Sequence, residues 1–316
     1  MKIGSVELKG NVILGPMAGV TDAAFRALCK EQGASMTVTE MISAKALFYK
    51  NKNTLPLMRV SPGESPVALQ LFGTEPALMA GEALKLEEGP YDIFDINMGC
   101  PMPKIVNNGE GSALMKNPKL VYDIVSAMTA KLKKPVTVKI RKGFDESCVN
   151  APEVARAAED AGAAAVCVHG RTREEYYSGK ADWDIIRKVK ESVNIPVIAS
   201  GDITDGPSAA AALSQTGADG VMIARAARGN PWIFREISAY LKGEDIPPRP
   251  DIAEVKETML RQLDMMIEGF GEYSAVRQMR RHASYYSAGW PGSSAFRFRI
   301  NQAETREEFS EILSAL

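Results

Sequence analysis

Short β-branched or Leu/Ile-rich runs alternate along this chain with longer stretches in which apolar residues recur every three or four positions. The short runs predict strands at Val12–Leu14, Met36–Thr39, Val67–Leu71, Ile93–Ile96, Val136–Ile140, Ala165–Val168, Val197–Ala199 and Val221–Ile223. The periodic stretches Asp22–Gln32, Pro76–Leu86, Pro118–Leu132, Pro152–Ala161, Asp182–Glu191 and Pro207–Gln215 predict helices between them. Several of these open on Pro, whose missing N–H costs nothing in a first turn. Strands that are apolar on both faces belong to a parallel sheet covered on both sides. Eight strand–helix units in roughly 230 residues predict an α/β protein, a (β/α)8 TIM barrel. An open doubly wound sheet is the weaker reading, because no Gly-x-Gly-x-x-Gly follows the first strand.

The alternation stops near Leu241. A barrel over residues 1–242 is followed by a Pro-rich linker over 243–251, which includes Gly243-Glu244-Asp245-Ile246-Pro247-Pro248-Arg249-Pro250. From Ile252 the period is helical, with Val255, Met259, Leu263, Met266 and Ile267 on one stripe, and no strand-like run returns. Residues 252–316 are therefore expected to form a small all-helical C-terminal domain.

Composition narrows the class. With 316 residues, 45% hydrophobic and 24% charged, the chain is neither disordered nor a coiled coil. No apolar run approaches the ~18 residues of a membrane helix, and no signal-like segment opens the chain, so a cytoplasmic protein without membrane association is expected. Its four cysteines are far apart and only two histidines are present, which argues against a disulfide framework or a Cys/His metal site. The net charge of −1 does not advertise a polyanionic partner, although local charge still can.

Candidate chemistry lies where a barrel carries it, at the C-terminal strand ends. Those ends read Pro16-Met17-Ala18, Glu40, Gln70, Asn97 with Cys100, Lys139 with Arg141, His169 with Arg171, Ser200-Gly201-Asp202 and Ala224-Arg225. The loops after the last two strands commonly bind phosphate, and a Gly turn plus a guanidinium suit one. Lys139 needs an anionic or carbonyl partner, or forms a Schiff base. Cys29, Cys148 and Cys167 read as packing residues. Cys100 differs, standing just past a strand end in the Gly/Pro turn Asn97-Met98-Gly99-Cys100-Pro101. It can be a nucleophile or a proton donor, and with no basic neighbour in sequence the neutral thiol is the simpler role.

Taken together these stretches resemble the tRNA-dihydrouridine synthase family, and within it the bacterial B-type subgroup. The matching segments are Pro16 to Asp22, Gln70-Leu71-Phe72-Gly73, Asn97 to Pro101, Val138 to Arg141, His169 to Arg173, Ser200 to Ile203, and Ala224-Arg225 through Gly229-Asn230-Pro231-Trp232. The resemblance implies FMN at the barrel mouth, with Pro16, Met17 and Ala18 against the ring. Gln70, Lys139 and His169 would be its polar contacts, and Ser200, Gly201, Asp202, Ala224 and Arg225 would surround the ribityl phosphate. Two positions depart from the family pattern, Ser200 where Asn is usual and Ala224 where Gly is usual. Asn97 would hold the uracil, and Cys100 would protonate C5 while hydride reaches C6. NADPH would reduce the flavin at the same mouth, since no Rossmann fingerprint provides a separate site. Arg141 and Arg171 are expected to contact the RNA.

Between Glu272 and Glu304 the chain has no acidic residue, but it carries Arg277, Arg280, Arg281, Arg297 and Arg299 with His282. Interleaved are Tyr273, Tyr285, Tyr286, Trp290, Phe296 and Phe298. Arginines track phosphate and aromatics stack on bases, so the tail reads as a tRNA surface, with Arg277, Arg280 and Arg281 on one helix face. Tyr285, Phe296 and Phe298 individually read better as core. No protein partner is expected. Two other readings stay open: a phosphate-sugar aldolase with Lys139 as Schiff base, and a non-catalytic RNA-binding regulator.

Overall fold

The computed structural model describes residues 1–315. All eight apolar runs are strands: β1 Val12–Leu14, β2 Met36–Val38, β3 Val67–Phe72, β4 Ile93–Met98, β5 Val136–Gly143, β6 Ala165–Thr172, β7 Val197–Ser200 and β8 Gly220–Ile223. Each pairs in parallel with the next, and β8 returns to β1 through Val221 opposite Val12, which closes a (β/α)8 barrel. Its outer ring is α1 Ala23–Glu31, α2 Pro76–Lys85, α3 Pro118–Thr129, α4 Ala151–Asp160, α5 Trp183–Ser192, α6 Gly206–Thr216 and α7 Ile233–Lys242. After β2 a short strand Ile42–Ser43, pairing with Leu71 and Phe72, and a five-residue helix Ala44–Phe48 replace a full helix.

Side chains of a strand alternate between faces, so each barrel strand sends every second residue inward. The lower interior is filled by Ile13, Met36, Val38, Ala68, Ile93, Ala165, Cys167, Ile198 and Met222. An antiparallel hairpin, Lys2–Ile3 with Val6–Glu7, closes the bottom and buries Ile3 and Leu8 in the same cluster, a plug the sequence pattern did not reveal. Strands β5 and β6 run further than the apolar runs, because Arg141 pairs with His169 and Gly143 with Thr172 beyond them. The inward series Thr137, Lys139, Arg141 and Cys167, His169, Arg171 therefore climbs from the packed interior to the mouth on rigid strand backbone.

Gly243 ends α7 in a left-handed conformation (φ 71°), and residues 244–251 have no regular structure. Four helices follow: α8 Ile252–Phe270, α9 Glu272–Tyr286, α10 Ser293–Ile300 and α11 Arg306–Ser314. Their core (Met259, Leu263, Met279, Ile300, Phe309) also takes in Ala24 of α1 and Trp232, so the helices are seated on the barrel. His282 Nε2 meets Asp22 Oδ2 at 2.9 Å in a buried contact, and Trp232 Nε1 donates to Glu254 at 2.9 Å. Gly229 (φ 64°) lets the chain pass α9, since a Cβ there would lie 2.4 Å from the Tyr286 nitrogen. Among the described residues no helix is long and apolar enough to cross a membrane.

Candidate active site

The mouth of the barrel is polar and interlocked. Asp95, inward on β4, accepts from Thr137 Oγ1 at 2.6 Å and from Gln70 Nε2 at 2.7 Å. Gln70 Oε1 accepts from Asn97 Nδ2 at 2.8 Å. Asn97 Oδ1 in turn accepts the backbone N–H groups of Gly99 (3.2 Å) and Cys100 (2.9 Å). Burial pushes the Asp95 carboxyl up to about 6 against the pull of Thr137, Gln70 and the Lys139 ammonium. Asp95 and Thr137 escaped the sequence reading. The available signal was one acid inside the apolar run Ile93-Phe94-Asp95-Ile96, two residues before Asn97 and therefore on its face.

Cys100 sits two residues beyond β4, half-buried, in a turn that the main chain holds. Its carbonyl accepts from Ser112 N and Oγ at 3.1 and 2.9 Å, and Arg141 Nε donates to the Gly99 carbonyl at 2.8 Å. Burial raises the thiol above its ordinary value, outweighing the Met102 N–H and the Arg141, Lys104 and Lys139 charges. The group is a neutral S–H at neutral pH, which fits a proton donor and not a thiolate nucleophile.

Opposite stands a cationic wall. Burial, followed by the charges of Lys139, Arg141, Arg171 and Arg225, holds His169 well below the usual imidazole range, so the ring is neutral. Among the described residues, two buried donor or acceptor atoms here have no protein partner, His169 Nε2 and Arg171 Nη1. Such orphans are costly unless something else meets them. Asp202, in a left-handed conformation (φ 56°), accepts from Arg171 Nη2 at 2.7 Å, Ala181 N at 2.7 Å and Arg225 Nη2 at 3.2 Å. Burial opposes this carboxyl's ionisation, yet the Ala181 N–H and Arg171 keep it below its ordinary value. Gly201 has φ 113° and no room for a side chain, since a Cβ would lie 2.7 Å from Ala181 Cβ. Arg225 also lies over the Tyr177 ring at 4.6 Å. Lys139 is half-buried and, among the described residues, its ammonium makes no hydrogen bond or ion pair. Pro16 and Met17 are half-buried and Ala18 is exposed on the opposite rim. Their turn is pinned by Thr21 Oγ1 accepting from Met17 N (2.9 Å) and by Glu40 accepting from Gly19 N (2.5 Å).

The structure thus brings Gln70, Asn97, Cys100, Lys139, His169, Ser200, Gly201, Asp202, Ala224 and Arg225 to one mouth. It places other expected contacts differently. Arg141 and Arg171 are 4% and 1% exposed, and Nε and Nη1 of Arg141 and Nε and Nη2 of Arg171 donate to carbonyls of Gly99, Thr172, Tyr176, Ser178 and Gly179 and to Asp202. They brace the mouth from within and present little surface of their own. In the tail, His282, Tyr286 and Phe296 are buried. Arg277 lies over Tyr273 at 3.5 Å and pairs with Glu304 at 3.4 Å, while Arg280 donates to the Ala303 carbonyl at 3.0 Å. The three arginines are therefore not one free face; Arg281 alone remains exposed, with Nη1 3.3 Å from the Gly19 carbonyl. Phe298, expected in the core, is 68% exposed because it falls on the outer side of α10 from Phe296 and Ile300.

The closed barrel thus carries, at one mouth, a cationic wall, an interlocked amide chain and a neutral thiol. The model of the dihydrouridine synthase (Dus) family matches residues 13–316, and the chain belongs to that family. It is 44% identical over 303 residues to a probable tRNA-dihydrouridine synthase of Rickettsia conorii, covering 95% of this chain and 91% of that one. It is 43% identical over 305 residues to the tRNA-dihydrouridine synthase B of Pseudomonas putida, covering 96% and 90%. Relatives of that name place the chain with the B-type branch. The barrel also superimposes on the 6-hydroxypseudooxynicotine amine oxidase of Pseudomonas geniculata (TM-score 0.62, 15% identity, 82% of this chain and 52% of that one), a likeness of fold.

Proposed function

We propose that this protein reduces the C5–C6 double bond of uridines in tRNA, using FMN held at the barrel mouth and NADPH as reductant. The observation that carries the cofactor is the pair of unpartnered buried atoms, His169 Nε2 and Arg171 Nη1, beside the Gly201 cradle in a cationic wall. Gln70, Lys139 and His169 would hold the polar edge of the ring, and Pro16, Met17 and Ala18 its face. Ser200, Gly201, Asp202, Ala224 and Arg225 would hold the phosphate. FMN when bound supplies the hydride for C6.

The chain's own residues supply the rest. Asn97 orients the base. Cys100 keeps its proton through the neutral range and delivers it to C5, so that protonation is placed and not left to water. The target base must leave the RNA stack to reach this depth. Family membership and the neutral Cys100 favour this reading over a Schiff-base aldolase, which has no use for that thiol. It also gives the populated mouth a task that a non-catalytic regulator lacks.

The test is direct. The purified protein is expected to show flavin absorbance, to be bleached by NADPH without oxygen, and to be reoxidised by tRNA that lacks dihydrouridine, with dihydrouridine appearing in the RNA. A colourless protein that neither binds FMN nor reacts with such tRNA refutes it.

A further inference from the structure

The Thr137–Asp95–Gln70–Asn97 chain has both ends fixed. An ionised carboxylate only accepts, and Asp95 takes one donor on each oxygen, from Thr137 and from Gln70 Nε2. A backbone N–H only donates, and Asn97 Oδ1 takes two of them, from Gly99 and Cys100. Between a fixed acceptor and fixed donors the two amides have one orientation that satisfies every contact, with Asn97 Nδ2 donating to Gln70 Oε1. Asn97, 8% exposed, is then left with one amide hydrogen and a fully occupied carbonyl.

We propose that Asp95 is a positioning residue, which through Gln70 fixes Asn97 as a pure donor, so that the Asn97 subsite receives a carbonyl oxygen of the pyrimidine and not its ring N–H. This rests on the uridine-reduction reading above. Uracil presents two carbonyl oxygens flanking one N–H, and a donor at residue 97 selects which edge atom enters. The polarity matters because a buried group facing the wrong partner leaves both unpaired.

The chain can be reversed without changing shape or net charge. In Asp95→Asn/Asn97→Asp, the residue-95 amide donates to Gln70, Gln70 donates to the residue-97 carboxylate, and that carboxylate still accepts the Gly99 and Cys100 N–H groups. Every contact is kept, but residue 97 now offers only an acceptor. Asn97→Asp alone puts carboxylates at both ends of Gln70, which can donate at only one. At pH 8, where Asp95 is ionised, Asn97→Asp is expected to lower the thermal midpoint of the purified protein. Adding Asp95→Asn should recover roughly half or more of that loss, as coupled neighbours do. Relative to Asp95→Asn alone, the reversed chain should slow tRNA-dependent oxidation of the NADPH-reduced protein by at least about a hundredfold.

Thermal effects that simply add overturn the chain. Repulsion between carboxylates at residues 95 and 97 would also couple them, so the cycle is repeated with Gln70→Met, and a recovery that persists there overturns the chain as well. A reversed-chain protein oxidised by tRNA as fast as Asp95→Asn overturns the donor role of residue 97. A wild-type protein that tRNA does not oxidise sinks the uridine reading instead, and the thermal cycle still decides the chain.

Discussion

Replacing Cys100 by alanine removes one sulfur from a half-buried position and the Met102 N–H contact to it, but leaves the hydrogen bonds by which Asn97 and Ser112 hold the turn through the main chain. The loss of packing is on the scale of one buried methylene, about 0.8 kcal/mol at most. Stability, FMN content and the rate of reduction by NADPH are therefore expected to survive. The reaction with RNA is not. A placed general acid contributes roughly 10²–10⁴ in rate, about 3–5 kcal/mol of barrier, and the same loss is expected in Cys100→Ala. Cys100→Ser should stay close to alanine, since a hydroxyl is a far weaker acid than a thiol. Burial lifts the wild-type thiol above its ordinary value, so the protein should keep its RNA-dependent rate across the neutral range and lose it only on the alkaline side, as the donor deprotonates. The assay reduces the flavin anaerobically with NADPH, mixes it rapidly with tRNA lacking dihydrouridine, and follows the return of flavin absorbance. Reoxidation of Cys100→Ala within about threefold of wild type would refute the proton-donor role, given the range expected of such acids. Parallel loss of the NADPH step would point to a structural thiol.

Three further outcomes follow from the site and the tail. Arg225→Ala is expected to weaken FMN by about 1.5 kcal/mol, the lower end for a charged hydrogen bond, because the guanidinium is 38% exposed and already shared with Asp202; riboflavin affinity, measured alongside by dialysis, should not change. Arg281→Ala with Arg299→Ala, both exposed, should weaken tRNA and flatten the slope of log affinity against log salt by about 0.7–0.9 per lost phosphate contact, and an unchanged slope excludes these two arginines as phosphate contacts. Asp95 has a folded value of about 6 against about 3.9 unfolded, so its stabilising contribution is present below about pH 4 and is lost as pH rises through 6. Denaturant titrations of wild type at pH 4 and pH 7 should therefore show a swing about 2 kcal/mol more unfavourable towards pH 7 than the same pair for Asp95→Asn; equal swings would show that Asp95 does not titrate in this range.

The barrel itself was legible in the sequence because its signal is local. Eight apolar runs with helical stretches between them place all eight strands within a few residues, and the Pro-rich stretch before Ile252 marks where the pattern changes. Period-two alternation then carries Gln70, Asn97, Lys139 and His169 to the mouth without reference to anything distant. In the tail the helical period was legible, but its charged surface only as composition. Arginines without acids in the same stretch look free, but Arg277 meets Glu304, Arg280 meets the end of α10 at Ala303, and His282 meets Asp22 across 260 positions. Arg141 and Arg171 likewise look wholly available to a ligand until β5 and β6 bury them among loop carbonyls that take most of their N–H groups. Which polar group is satisfied by the protein, and which is left for a ligand, depends on atoms brought together from different strands. That is why the sequence determined the address of the site, while only the tertiary structure decided that Asp95, Gln70 and Asn97 form one polarised chain and that His169 Nε2 and Arg171 Nη1 are the atoms left open.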